Sequence, residues 1–550
     1  MKKTIRFCLT LIFLFAMCRN RPTQYTFYQV APKYAEKPEY VETGLSRDVP
    51  TVHITVHCRD TLAGVSPLIY GANANVYMTQ MVDNPKLIRF IRQLSPNIIR
   101  YPGGNLSSLF FWDHAPDTPP EGAPDTLYGG LEKRYSEQYW YGRNDKAGTL
   151  SLDNYYKMLE MTNSTGIITV NYSYARYGTS QDPVAAAAGY AADWVRYDNG
   201  RTRFWEIGNE NYGAWQAGYR IEPTQNRDGQ PEIITGALYG RQFKILADSM
   251  RDAAREVGTE IQLGAVLLEE TREWHTPVQQ DWNSGFFREA GNAADFFVVH
   301  SYYTPYEENS SVETILNSAE PVTSEIIHFI RQVADQHGVA MKPLALTEWN
   351  IFAAGSMQQV SYVNGMHAVL VLGELIKNRY GMANRWNLAN AWANGNDHGM
   401  FSRAGEPDVP LFNPRPSFHY LTLFQRFFGD HMVASSCVQD DSNVVAYGST
   451  FHSGEAGIVL INKGRTDHTI LLELKDFKIG DRCYWYTLTG GEDNGDFSRK
   501  VYVNGAGPDL PAGGPDLDDV KAFSAVIDGN IQIDLPGLGV VYLLVESSVR

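Results

Sequence analysis

Apolar and polar positions change period along the chain, and each change marks an element. Between residues 66 and 430, short apolar runs alternate with stretches of helical spacing. Ile69–Gly71 opens the series, and Pro85–Leu94 follows with apolar side chains three and four apart. Asn97–Tyr101, Ile167–Tyr172, Arg203–Ile207 and Ile261–Leu267 read as the next four strands. Asp295–His300, Pro343–Thr347 and Ala383–Ala391 complete the set, each followed by a helical stretch. Ser417–Phe428 is the last helix. Eight strand–helix units predict an α/β fold, a (β/α)8 TIM barrel over 66–430. The segment 113–150 is its largest insertion. A doubly wound sheet lacks support, because no Gly-rich phosphate loop follows the first strand.

The period changes again near residue 430. Val444–Tyr447, Ala456–Ile461, Thr469–Leu474, Arg482–Leu488 and Val540–Val545 are short runs broken by Gly, Asn and Asp. They predict an all-β antiparallel sandwich over 431–550. Val52–Val56 alternates like a strand, so 49–65 is expected to join this sandwich. Residues 19–48 are polar and rich in Pro, Tyr and Glu, and read as a tether.

The first residues read as an address. Lys2, Lys3 and Arg6 precede an uncharged apolar run, Phe7–Met17, too short to span a bilayer. Cys18 follows Phe15-Ala16-Met17, so residues 1–18 are expected to be a lipoprotein-type signal peptide with Cys18 lipidated. Export to the periplasm or cell surface follows, with membrane contact only through that anchor. Cys58, Cys437 and Cys483 are the remaining cysteines and form no CxxC pair. One disulfide among them stays open.

Composition narrows the function. Hydrophobic residues make up 43% and charged residues 20%, which excludes a disordered or collagen-like chain. The net charge of −15 makes a general nucleic-acid binder a poor fit, because phosphate needs basic patches. Aromatics reach 12%, which suits a site for amphipathic ligands such as sugars.

Two carboxylates fall at predicted strand ends. Glu210 lies just past the fourth strand, after Gly208-Asn209, and Glu348 ends the seventh. Ends three positions apart around an eight-strand ring face each other across the mouth. Paired carboxylates across a pocket are what glycoside hydrolysis requires, one as acid and one as nucleophile or base. Glu206, in the same strand as Glu210, is expected to be structural. His275, His300, His367 and His398 show no His-x-x-x-His ligand spacing, so no metal or other cofactor is expected.

Three motifs carry a resemblance: Arg100-Tyr101-Pro102-Gly103-Gly104-Asn105, Gly208-Asn209-Glu210-Asn211-Tyr212-Gly213-Ala214-Trp215-Gln216, and Thr347-Glu348-Trp349-Asn350. With Tyr239-Gly240-Arg241, His300-Ser301-Tyr302-Tyr303 and Met382-Ala383-Asn384, the chain resembles glycoside hydrolase family 51, the α-L-arabinofuranosidases. The resemblance covers about 66–430. It implies a retaining double displacement, with Glu210 as acid/base and Glu348 as nucleophile. It also implies that Asn209 binds the hydroxyl beside the reacting carbon and that Tyr302 hydrogen-bonds Glu348. Arg100 and Asn105 would support the pocket floor, with His300 beside them. Trp215, Trp349 and Trp392 are candidate sugar platforms. The chain departs from the family at Asn75, where relatives carry an acidic residue that grips the terminal sugar. The terminal sugar therefore stays open. An endo-β-glycanase on glucan, xylan or algal galactan is the enzymatic alternative, and a surface glycan-binding lipoprotein the non-enzymatic one. The expected partner is carbohydrate, and homo-oligomerisation is left open.

Overall fold

The computed structural model describes residues 27, 30–129, 132–135, 139–395, 397–438 and 442–548. The signal peptide, including Cys18, lies outside the described residues.

Eight parallel strands close into a barrel. In chain order they are β1 (Gly71–Asn73), β2 (Ile98–Tyr101), β3 (Thr165–Val170) and β4 (Phe204–Ile207). β5 (Gln262–Val266), β6 (Phe296–Tyr302), β7 (Leu344–Asn350) and β8 (Met382–Arg385) follow, and β8 pairs with β1 to close the ring. Helices start where capping residues allow. Asn84 caps Pro85–Leu94 by accepting from Leu87 N, with Pro at the first turn. Thr276 and Gln279 cap Pro277–Ala290 reciprocally.

At the N-terminal ends of the strands the interior is apolar. Leu68, Ile98, Ile167, Phe204, Phe296, Val298, Ala345 and Met382 form one buried cluster. Phe27 enters it from below, edge-on to Phe204 at 5.1 Å and to Phe296 at 5.2 Å.

The chain then runs from the barrel floor to the second domain. Backbone N–H of Lys33 donates to Asp430 Oδ2 at 2.8 Å. Lys33 Nζ donates to the Gln425 and Phe428 carbonyls at the end of helix Pro416–Phe427. Tyr40–Glu42 pairs in parallel with Ala522–Ser524. Residues 30–48 are therefore tied to the folded body at Lys33 and at Tyr40–Glu42. Lys33 binds carbonyls that the helix leaves unpaired, which fixes the segment.

Val52–Gly64 lies in the C-terminal sheet, antiparallel to His431–Cys437 and parallel to His468–Lys475. Eleven strands form this sheet, wrapped on a core that includes Val52, Ile54, Ile458, Leu460, Ile470, Trp485 and Leu543. The antiparallel order expected there is broken at two pairings, Tyr40–Glu42 with Ala522–Ser524 and Val52–His57 with Ile470–Lys475, which are parallel. Cys58, Cys437 and Cys483 are free thiols. The domains are fastened by Tyr542 Oη to the Tyr420 carbonyl (2.8 Å) and by Arg499 to Glu406 (2.6 Å).

Candidate active site

Glu210 stands on a tight exit from β4. Gly208 has φ +95°, and a Cβ there would meet Asn211 Oδ1 at 2.0 Å. Glu210 itself has φ +45°, a left-handed conformation that a non-glycine residue holds at a cost, and one common at functional sites. The turn lifts its carboxylate over the mouth. There Oε2 accepts from the Trp215 indole at 2.9 Å, and Oε1 lies 2.9 Å from His300 Nδ1.

Glu348 needs no such turn, because it points inward from within β7. Arg100 NH1 donates to its Oε1 at 2.8 Å, and Tyr302 Oη donates to its Oε2 at 3.1 Å. A carboxylate oxygen of Glu210, one of Glu348 and a ring nitrogen of His300 lie within 4.8 Å of one another. The sequence leads to no metal at these residues. The triad is close enough for a cation, while the Arg100 guanidinium already neutralises one of its carboxylates.

Arg100 is the hub. It is fully buried and spends four donors: Nε on Glu206 (2.6 Å), NH1 on Glu348 and Asn73 (3.2 Å), and NH2 on Asn209 Oδ1 (2.8 Å). Glu206 also accepts from Thr169 Oγ1 at 2.8 Å. A buried guanidinium with two carboxylates is neutralised and rigid. Burial works against its charge, but Glu206 and Glu348 outweigh this and raise its pKa. Asn209 is left with a buried Nδ2 that has no partner, a donor free for a ligand hydroxyl.

The proton balance centres on His300. Burial disfavours its charge, yet the neighbouring Glu348 and Glu210 carboxylates raise its pKa above the ordinary value. Burial raises Glu210, but the His300 hydrogen bond and charge, the Trp215 indole and Arg100 together bring it below the carboxylate range. The pair thus shares one proton, resting on His300 as an imidazolium–carboxylate. Tyr302 is pushed far up by burial and then by Glu348, so it stays a donor.

The other nominated residues separate. Asn105 accepts from Gln216 Nε2 at 2.7 Å, and Gln216 also reaches Glu210 Oε2 at 3.5 Å, so Asn105 joins the site through Gln216. Asn75 is buried. Its Nδ2 donates to the Pro102 (3.2 Å) and Gly103 (3.4 Å) carbonyls, and its Oδ1 has no partner. Trp349 is not a platform. It is 1% exposed, because in a strand the residue after inward-facing Glu348 points outward, toward the helices. Trp392 lies well past the end of β8, under the Arg499 guanidinium at 5.4 Å, and no contact ties it to the carboxylates.

Trp386 is the aromatic residue that the sequence reading missed. It follows Arg385 at the end of β8, and its ring covers the Gly103-Gly104 turn. A Cβ on Gly104 would meet that ring at 2.6 Å. The expected strand ran to Ala391, which hid Trp386 inside it and put Trp392 at its end. Glu269 was also missed, although it stands just past β5, where the strand-end rule would have found it.

No family model matches the chain. The intracellular exo-alpha-(1->5)-L-arabinofuranosidase of Streptomyces lividans is 23% identical over 286 residues, covering 48% of this chain and 37% of that protein. The enzyme of the same name from Bifidobacterium longum is 22% identical over 283 residues, covering 48% and 44%. The match therefore spans less than half the length of either relative. The α-L-arabinofuranosidase of Thermotoga maritima superposes with a TM-score of 0.61 at 17% identity, over 90% of this chain and all of that one. A family 44 endoglucanase of Clostridium thermocellum superposes at 0.56 and 13% identity, over 90% of this chain and 100% of that one. Its fold is that of the family 51 and family 44 glycoside hydrolases. The two sequence relatives both carry the arabinofuranosidase name.

Proposed function

We propose that the chain is a retaining glycoside hydrolase that removes α-L-arabinofuranosyl units from oligosaccharide or polysaccharide. The observation that carries this is the approach of the Glu210 and Glu348 carboxylates, whose oxygens lie within 4.8 Å. A carboxyl separation of about 5–5.5 Å leaves no room for a water on the far face of the sugar, and it favours direct attack.

In the first step a Glu348 oxygen bonds to the anomeric carbon while the bond to the leaving oxygen breaks. Glu210 gives its proton to that oxygen, after the shared proton moves across the 2.9 Å from His300 Nδ1. In the second step water attacks the same carbon and yields its proton to Glu210. The ester to Glu348 breaks, and configuration is retained. Arg100 and Tyr302 keep Glu348 an anion until it attacks. The unpaired Asn209 amide is placed to hold the neighbouring hydroxyl, an interaction that strengthens in the transition state. The test is turnover of aryl α-L-arabinofuranosides and an arabinan and arabinoxylan panel, with anomer analysis by NMR. Product showing net inversion would sink the mechanism.

One observation favours a second reading. Asn75 stands where the resemblance implies an acidic residue for the terminal sugar, and an endoglucanase shares the fold. Oligosaccharide ladders in place of single sugars would support an endo-β-glycanase. Export and lipidation at Cys18 belong to the same proposal. Metabolic labelling with a fatty acid, lost in Cys18→Ser, checks them.

A further inference from the structure

The loop 267–276 combines an inward carboxyl with an outward indole, and it flanks the proton donor. β5 is the barrel neighbour of β4, so this loop borders Glu210. Glu210 faces the leaving group in the proposed mechanism, which makes the loop's side of the mouth the leaving-group side.

The loop is fastened at both ends. Leu268 N donates to Asn283 Oδ1 and Asn283 Nδ2 donates back to the Leu268 carbonyl, both at 2.8 Å. Further along, the Arg272 N–H donates to His275 Nδ1 at 3.2 Å, and Gln280 Nε2 donates to the His275 carbonyl at 3.0 Å. Thr276 then starts the capped helix.

On this fixed frame Trp274 is 78% exposed, its ring edge-on to His275 at 5.9 Å between ring centres. A large indole held in water on a fastened loop beside a site marks a surface for a partner with a flat apolar face. Glu269 turns the other way. Its Oε2 is buried without a partner, and the group lies within electrostatic reach of Glu210, His300 and Tyr212. Burial, then the charges of Glu210 and Glu270, push its pKa up to about 8, so near neutrality it carries an O–H. A neutral carboxyl offers one donor and one acceptor, the complement of a sugar hydroxyl.

We propose that loop 267–276 is a leaving-group subsite for a neutral polysaccharide chain, with Trp274 as stacking platform and Glu269 as hydrogen-bond partner. This rests on the glycosidase reading and names its substrate class as polymer. The neutral class follows from the pairing here: Arg100, His300 and Arg272 are each held by carboxylates, so none of these three cations is left for a uronate. A uronate-rich polymer would give up hydration there with no counter-charge in return.

Two measurements test it. In the Glu348→Gln background, electrophoresis through arabinoxylan or arabinan gels reports binding without turnover. Trp274→Ala is expected to weaken retardation at least fivefold, and polygalacturonate gels to retard neither protein. Equal retardation with and without Trp274, or retardation by polygalacturonate alone, would overturn the subsite. In the active enzyme, Glu269→Ala should lower the ratio of kcat/KM on polymer to kcat/KM on an aryl glycoside about tenfold. Glu269→Gln, which keeps a donor and an acceptor, should recover most of it. A parallel fall on both substrates would overturn the role of Glu269. Absence of turnover on every glycoside would sink the hydrolase reading, while the gels would still decide the subsite.

Discussion

The two ends of the barrel are built from the same eight strands but hold opposite chemistry. At the N-terminal end, Ile98, Ile167, Phe204, Phe296 and Met382 close around Phe27 in a dry apolar cluster. At the C-terminal end, Arg100, Glu206, Glu348 and His300 are equally buried but joined by charge and hydrogen bonds. Arg100 lies two residues after Ile98, and Glu206 two residues after Phe204, so each pair shares one face of its strand. Two residues of rise, about 7 Å, separate a stabilising layer from a reactive one. The division lets the mouth carry buried charge, because the floor supplies apolar burial that tolerates it.

Substitutions at each end sharpen this contrast. The largest effect belongs to the mouth: Glu348→Gln should reduce kcat about 10⁴-fold or more on aryl glycosides. Glu210→Ala should lower turnover by about 10²–10⁴-fold, with the smaller loss on leaving groups that need no proton. Equal losses on good and poor leaving groups would remove Glu210 from the acid role. The floor should show the reverse pattern. Phe27→Ala should cost about 3 kcal/mol of stability in denaturant titration while kcat changes less than twofold. A large kcat loss there would break the division of labour.

The pH dependence follows from signs. The raised pKa of His300 keeps the shared proton in place below that value, and the proton is lost as pH rises through it. Turnover should therefore fall on the alkaline side, by about tenfold per pH unit, as the acid loses its proton. His300→Asn should move that limb. A further effect is on stability at Glu269. Its pKa is raised from 4.5 to about 8, so it favours the fold at low pH and opposes it as pH rises across that interval. Glu269→Gln should melt above the parent at pH 9 and lose that advantage at pH 5.

Much of this was legible from periodicity. The helix Pro85–Leu94 falls where apolar spacing predicts it. The strand-end rule located Glu210 and Glu348 because each follows a clean apolar run. It failed at β8, where Asn384 and Arg385 end the strand but Trp386, Leu388 and Ala389 after them extend the apparent apolar pattern. It misjudged Trp349 because adjacency to a reactive residue within a strand means the opposite face. The docking of residues 30–48 was invisible because Lys33 and Phe27 bind groups far away in sequence, which no local period records. The hub at Arg100 is a contact among β2, β4 and β7, and only closure of the ring brings those strands together.

The C-terminal sheet takes two strands from before the barrel, Tyr40–Glu42 and Val52–Gly64, and the rest from after it. Their partners leave the ribosome several hundred residues later. At about 5–20 residues per second, the thirteen-residue strand waits roughly 20–70 seconds for its neighbours. During that interval a long alternating strand has no sheet to complete. Synthesis speed and holding factors therefore bear on the yield of this protein.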